Sequence, residues 1–129
     1  MLLDNFCNSD RRVLGRLKQL LGDQAFAVQE ADACDQSQIV QLLTSFDVTA
    51  VIHFAALKAV GESVVQPLRY FENNNQALLS VLKAISSIAK DRYIHLVYSS
   101  SATVYGDPDQ VPITESAALR PTNPYAWTK

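Results

Sequence analysis

The sequence predicts an α/β fold built on a doubly wound parallel sheet. Three observations carry that prediction. Two nearly continuous apolar runs, Ala50–Ala56 and Tyr93–Tyr98, have the character of strands buried on both faces. The segments between candidate strands carry apolar residues at helical spacing, so strand and helix alternate along the chain. Four candidate strand ends, Asp4-Asn5, Asp32, Phe54-Ala55-Ala56 and Ser99-Ser100-Ser101, are polar or small. In a doubly wound sheet the carboxyl ends of the strands form the ligand rim.

Taken in order, Met1–Leu3 is an apolar stub ending at Asp4-Asn5, as the tail of a strand would be. Val13–Leu21 places Val13, Leu14, Leu17, Leu20 and Leu21 on a helical face. Ser9 or Asp10 is placed to cap that helix, and Gly22 to stop it. Ala25–Glu30 reads as a short strand, and Gln36–Phe46 as a second amphipathic helix through Ile39, Val40, Leu42, Leu43 and Phe46. The Ala50–Ala56 strand follows, then a connecting segment over Lys58–Val65. Pro67 can open a helix, because its missing N–H is not needed there. From Leu68 to Ala89 there is no Pro or Gly, and Leu78, Leu79, Val81, Leu82, Ile85 and Ile88 recur at helical spacing. Lys90-Asp91-Arg92 is a polar break before the Tyr93–Tyr98 strand. Pro108, Pro112 and Pro121 make 107–123 mostly loop. Pro124-Tyr125 then opens a last helix.

Composition narrows the function. The 129 residues are 48% hydrophobic with a formal net charge of −2. That suits a globular domain with a core rather than a disordered chain. No basic stripe is present, which argues against nucleic acid as a partner. No apolar run reaches the length of a membrane span, and Met1-Leu2-Leu3 lacks the basic flank and long apolar core of a signal peptide. The two cysteines, Cys7 and Cys34, form neither a disulfide framework nor a zinc knuckle, and read as reduced cytosolic thiols. His53 has no second His, Cys or acid at metal spacing, so it reads as a hydrogen-bonded core histidine and no metal site is expected.

The residues that suggest chemistry cluster late in the chain. Tyr125 and Lys129 are four apart, which on a helix puts both on one face. A phenol titrates near pH ~10, and a neighbouring ammonium stabilises the phenolate and lowers that value. Ser101, at the end of a strand, could hydrogen-bond the reacting hydroxyl. The competing interpretation is a Tyr packed on the sheet beside a solvated Lys. Asp4, after its apolar stub, could accept hydrogen bonds from a ribose diol, or simply cap a turn. Asn73, Asn74 and Asn75 sit early in the long helix, either turned toward the rim or solvated. Trp127 reads as packing. The four glycines, Gly15, Gly22, Gly61 and Gly106, lack the spacing that cradles a pyrophosphate.

At these residues the chain resembles the extended short-chain dehydrogenase/reductase family and, within it, the UDP-glucose 4-epimerase group. The segments that carry the resemblance are Leu3–Ser9, Val51–Val64, Asn73-Asn74, Ser99–Gly106, and Pro124-Tyr125 with Lys129. The related dehydratases carry Asp-Glu where Ala102-Thr103 stand here. The resemblance implies the central part of an NAD-binding Rossmann-like domain over residues 1–129, without its first strand and Gly-rich loop and without the C-terminal substrate domain. It implies interconversion of UDP-glucose and UDP-galactose by transient oxidation at sugar C4, in a cytoplasmic protein that is a homodimer when intact. Neither nucleic acid nor membrane is an expected partner. Tyr125 would be the base, Lys129 its electrostatic partner and a ribose contact, and Ser101 a ligand of the sugar. Asp4, Asn5 and Asn8 would hold the adenosine half of NAD, and Asp32 would lie by the adenine. Phe54, Ala55 and Lys58 would line the dinucleotide, and Asn73 would approach its phosphates. An epimerase of another sugar nucleotide such as UDP-N-acetylglucosamine, or a dinucleotide-binding module without turnover, stay open as alternatives.

Overall fold

The computed structural model describes residues 1–22, 24–89 and 92–129. The chain divides into two compact units, Met1–Thr49 with Ala77–Ile94, and Ala50–Gln76 with His95–Lys129. The polar break expected at 90–92 falls partly outside the described residues.

The first unit opens with β1 (Leu2–Asp4), α1 (Arg12–Leu21), β2 (Val28–Glu30) and α2 (Gln36–Ser45). β1 and β2 pair in parallel, Leu2 opposite Val28 and Asp4 opposite Glu30. The strand expected from Ala25 starts only at Val28, because the backbone bond that precedes the ladder, from Leu2 N–H to the Ala27 carbonyl, ends the pairing there. α1 stops where expected: Gly22 adopts a φ of +60° and its N–H bonds the Lys18 carbonyl. Its first turn is not capped by Ser9, and Asp10 instead accepts the Arg12 N–H at 2.8 Å. Ala31, Ala33, Ile39, Leu42, Leu43, Ala77, Val81, Ala84 and Ile94 form the buried apolar set of this unit. Ser80, buried among them, donates its hydroxyl to the Cys34 carbonyl at 2.8 Å.

α2 is capped by Asp35, whose carboxylate accepts from the N–H groups of Ser37 and Gln38. Those bonds, with the Gln38 side chain, hold the Asp35 carboxyl below its ordinary value of 3.8. A folded-state value lowered in this way adds stability above the unfolded value, and the stability is lost as pH falls through the folded one. Acid titration below about pH 4 should therefore weaken the start of α2. Asp35→Asn, which keeps a capping oxygen with no titration, should flatten that acid limb when helicity is followed by circular dichroism. An unchanged limb would place the acid sensitivity elsewhere.

The second unit contains β3 (Ala50–His53), α3 (Val60–Val65), the start of α4 (Pro67–Ile88), β4 (His95–Tyr98), a 3-10 turn at Ala102–Tyr105, and α5 (Pro124–Trp127). β3 and β4 pair in parallel from Ala50–His95 to His53–Tyr98. The chain is thus α/β with parallel strands, and its strands pair as β1 with β2 and β3 with β4. The prediction that Ala50–Ala56 and Tyr93–Tyr98 are buried on both faces does not hold. Ile52 is 61% exposed and Val97 56%, while their neighbours His53 and Tyr98 are buried and half-buried. An apolar run shows that a strand tolerates burial; whether a second layer covers it depends on other parts of the fold. The Lys58–Val65 connector is also more ordered than expected, since Val60–Val65 forms α3.

Gly106 closes the 3-10 turn with a φ of +61°. Arg120 returns to this turn, its N–H bonding the Val104 carbonyl at 2.9 Å. A Cβ at position 106 would fall on the Arg120 carbonyl oxygen. Both the backbone conformation and the close approach therefore require glycine there.

Candidate active site

In the first unit the carboxyl ends of β1 and β2 gather the acidic and amide residues predicted to meet a ribose. Asp4 Oδ1 accepts the Phe6 N–H at 2.7 Å, and Phe6 takes a φ of +54°. Asn5 Oδ1 accepts the Cys7 N–H at 3.0 Å, while its Nδ2 donates to Asp32 Oδ2 at 3.1 Å. Asp32 Oδ1 accepts the Cys34 N–H at 2.8 Å. That backbone bond, and more weakly Asn5, holds the Asp32 carboxyl below its ordinary range. Asp4, Asn5 and Asp32 thus turn the two strand ends into ordered, acceptor-rich loops. Asn8 is exposed on the loop that follows.

In the second unit the short helix that bears Tyr125 is built by its own sequence. Asn123 Oδ1 caps it by accepting the Ala126 N–H at 2.9 Å, and Pro124 takes the first helical position. α5 packs against α3 and against the 3-10 turn. Ser101 opens that turn: its Oγ accepts the Thr103 N–H at 3.2 Å and the Thr103 hydroxyl at 2.8 Å. Tyr125 is 8% exposed and packs with Leu57 and Tyr70. Trp127, expected to pack, is 65% exposed. Two residues along a helix is about 200° around its axis, so burying Tyr125 turns Trp127 outward.

Lys129 lies one residue beyond Thr128, which caps α5. Its Nζ sits 4.6 Å above the centre of the Tyr98 ring. The Tyr98 hydroxyl donates to the Thr128 carbonyl at 2.9 Å, and His53 stacks on Tyr98 with ring centres 5.8 Å apart. Burial, then the nearby Lys58 ammonium, brings Lys129 below the ordinary lysine value. Burial, then the Lys129 charge, also lowers the His53 pKa; His53 is buried, as the sequence suggested, and its ring meets the Tyr98 ring by stacking. Lys58, Phe54 and Ala55 follow β3, with Phe54 and Ala55 exposed.

The three asparagines of α4 separate. Asn75 is exposed and Asn73 half-buried, its Nδ2 donating to Asn74 Oδ1 at 3.0 Å. Asn74 is 2% exposed. Its Oδ1 accepts the Leu57 N–H at 2.8 Å, and its Nδ2 donates to the Leu57 carbonyl at 3.1 Å and to the Thr128 hydroxyl at 2.8 Å. The Thr128 hydroxyl in turn donates to the Tyr125 carbonyl at 2.7 Å. One buried amide thereby ties the loop after β3 to the end of the Tyr125 helix. Tyr70 anchors the same loop, its hydroxyl donating to Glu62 at 2.7 Å and accepting the Ala59 N–H at 3.0 Å. Sequence reasoning did not assign Asn74, Thr128 or Tyr98 to the site. The helical register of Tyr70, Asn74, Ala77, Val81 and Ala84, all buried, was the signal for Asn74. Among the described residues no group of three His, Cys, Asp or Glu could hold a metal ion.

Residues 3–129 match the family model described as GDP-mannose 4,6 dehydratase. A UDP-glucose 4-epimerase of Haemophilus influenzae is 42% identical over 130 residues, which cover 100% of this chain and 37% of that protein. A UDP-glucose 4-epimerase of Klebsiella pneumoniae is 42% identical over 116 residues, covering 90% of this chain and 81% of that sequence. Among solved structures, UDP-glucose-4-epimerase from Stenotrophomonas maltophila, with bound NAD and formylated UDP-arabinopyranose, superposes with a TM-score of 0.90 at 39% identity, over 99% of this chain and 37% of that one.

Proposed function

We propose a function from one premise: this chain belongs to the GDP-mannose 4,6 dehydratase family. The chain spans about 37% of the length of the Haemophilus influenzae relative, so the reading concerns the intact protein. The intact protein interconverts UDP-glucose and UDP-galactose by NAD-dependent oxidation and reduction at sugar C4, and residues 1–129 are the central part of its NAD-binding domain. The observation that carries this is the arrangement within the second unit. The helix holding Tyr125 packs on the turn opened by Ser101, and Lys129 follows at its end.

The residues suit a dinucleotide. Lys129 is lowered first by burial and then by the Lys58 ammonium, and an anionic ligand would offset the repulsion between the two. Asp4 and Asn5 offer acceptors for a ribose diol and Asp32 lies beside them for the adenine, with Asn8 on the adjoining loop. Phe54 and Ala55 are exposed to line the ligand, and Asn73 is assigned toward its phosphates. The bound nicotinamide supplies the hydride acceptor and donor.

Tyr125, as phenolate, takes the proton from the sugar 4-hydroxyl. Lys129 stabilises that phenolate, and Ser101 orients the reacting hydroxyl. When the 4-keto sugar presents its other face, the same Tyr125 returns the proton to the new 4-hydroxyl. The absence of Asp-Glu at Ala102-Thr103 supports this over elimination of water, which needs an added acid and base. We further assign the intact protein to the cytoplasm as a homodimer, without nucleic-acid or membrane partners. No described helix is long and apolar enough to cross a membrane.

The test is a substrate panel on the purified intact protein. UDP-galactose should convert to UDP-glucose with NAD retained through turnover. Protein that holds NAD yet leaves UDP-galactose untouched would end this reading. Turnover confined to N-acetylated sugars would move it to another sugar nucleotide.

A further inference from the structure

One aromatic residue beside Lys129, Tyr98, has no role in the chemistry above. Tyr98 lies at the end of β4, in register with His53. One face of its ring carries the Lys129 ammonium at 4.6 Å, within range of a cation–π attraction. Its hydroxyl holds the Thr128 carbonyl at 2.9 Å, the peptide from which Lys129 departs. His53 stacks against the same ring, its pKa lowered by burial and then by the Lys129 charge. Tyr125 is also near: after burial, its charge when ionised raises the Tyr98 phenol further above its ordinary value. Tyr98 itself therefore stays protonated and serves as a fixed aromatic surface.

We propose that Tyr98 is a positioning residue for Lys129, seating its ammonium on the ring face. This rests on the reading of Tyr125 and Lys129 as the proton-transfer pair. An ammonium on a four-carbon stem has many rotamers, and it lowers the pKa of a phenol only while held near it. Tyr98 restricts those rotamers at the strand end where Ser99-Ser100-Ser101 begins. The Ser100 hydroxyl reinforces the same anchorage by donating to the Lys129 carbonyl at 3.2 Å. The titratable and charged groups on the elements around α5 include His53, Lys58, Glu62, Arg69, Tyr70, Glu72, His95 and Tyr105; Tyr98→Leu also removes the ring on which His53 stacks, whereas Tyr98→Phe keeps it.

The experiment compares Tyr98→Phe and Tyr98→Leu in the intact protein. Phe keeps the ring and removes only the hydroxyl; Leu removes the ring. Turnover that requires removal of a proton from the sugar hydroxyl rises with pH along an acid limb. Losing the ring should lower kcat about tenfold, with little change in KM, and move that rising limb up by about 0.5–1 pH unit. Tyr98→Phe should keep the parent limb. A second readout does not need activity. Reductively ¹³C-methylated Lys129, assigned with Lys129→Arg, should show an upfield ring-current shift in the parent and in Tyr98→Phe, and none in Tyr98→Leu. A parent resonance at the solvent-exposed position would overturn the inference, as would a Tyr98→Leu limb matching the parent. Should the parent fail to epimerise any sugar nucleotide, the functional reading fails alone, and the resonance still decides whether Tyr98 seats Lys129.

Discussion

Replacing Tyr125 with Phe in the intact protein should lower turnover by about 10²–10⁴-fold while leaving NAD retention unchanged. The substitution removes one oxygen and nothing else. The ring keeps its place against Leu57 and Tyr70, where it is almost fully buried. The backbone bond that ties this residue to the helix end, from the Thr128 hydroxyl to the Tyr125 carbonyl, does not involve the phenol. The cap from Asn123 and the packing of α5 on its neighbours are equally untouched. A loss of turnover with an unchanged thermal midpoint would therefore report proton transfer and not folding. Activity equal to the parent would remove Tyr125 from the chemistry.

Asn74→Ala should destabilise the fold by about 2–4 kcal/mol and loosen the Tyr125 helix. The amide makes four bonds, to the Leu57 N–H, the Leu57 carbonyl, the Thr128 hydroxyl and the Asn73 side chain, the first three in a buried position. Alanine leaves the Leu57 N–H and carbonyl without those partners, and a buried unsatisfied polar group costs about 1–3 kcal/mol. The same change frees the Thr128 hydroxyl, whose other bond fixes the Tyr125 carbonyl. Denaturant titration of parent and variant reads the loss directly. Asn75→Ala, at an exposed position of the same helix, is the control and should fall within about 0.5 kcal/mol. Equal stability of the Asn74 variant and its control would show that the buried amide does not hold these elements together.

How much of this was legible in the sequence depends on what each signal encodes. α1, α2 and α4 follow from apolar spacing, and Gly22 and Pro67 end and begin helices as their backbone chemistry requires. α3 was missed because Gly61 and the β-branched Val60, Val64 and Val65 disfavour a helix locally. Its backbone is held from outside: Ser63 is fully buried, and Glu62 receives the Tyr70 hydroxyl. Strand positions were legible from composition, but the exposure of Ile52 and Val97 was not, since periodicity is silent on which layers exist. The Tyr–Lys spacing was legible, whereas the seat of Lys129 on Tyr98 was not. The four-residue rule assumes a continuing helix, and Thr128 caps this one first. The acidic rim at Asp4 and Asp32 was legible as residue types; that Asn5 would bridge to Asp32 across 27 positions needed the parallel register of β1 and β2.

The most direct test of the central claim is the fate of the hydrogen on sugar C4. UDP-galactose carrying deuterium at C4 is incubated with the intact protein in ordinary water, and the UDP-glucose formed is analysed by NMR. If the hydrogen leaves as hydride and returns within one bound complex while Tyr125 handles only the hydroxyl proton, the product keeps deuterium at C4. Replacement of that deuterium by solvent hydrogen would mean that C4 itself is deprotonated, and Ser101, Tyr125 and Lys129 could not then hold the roles assigned to them.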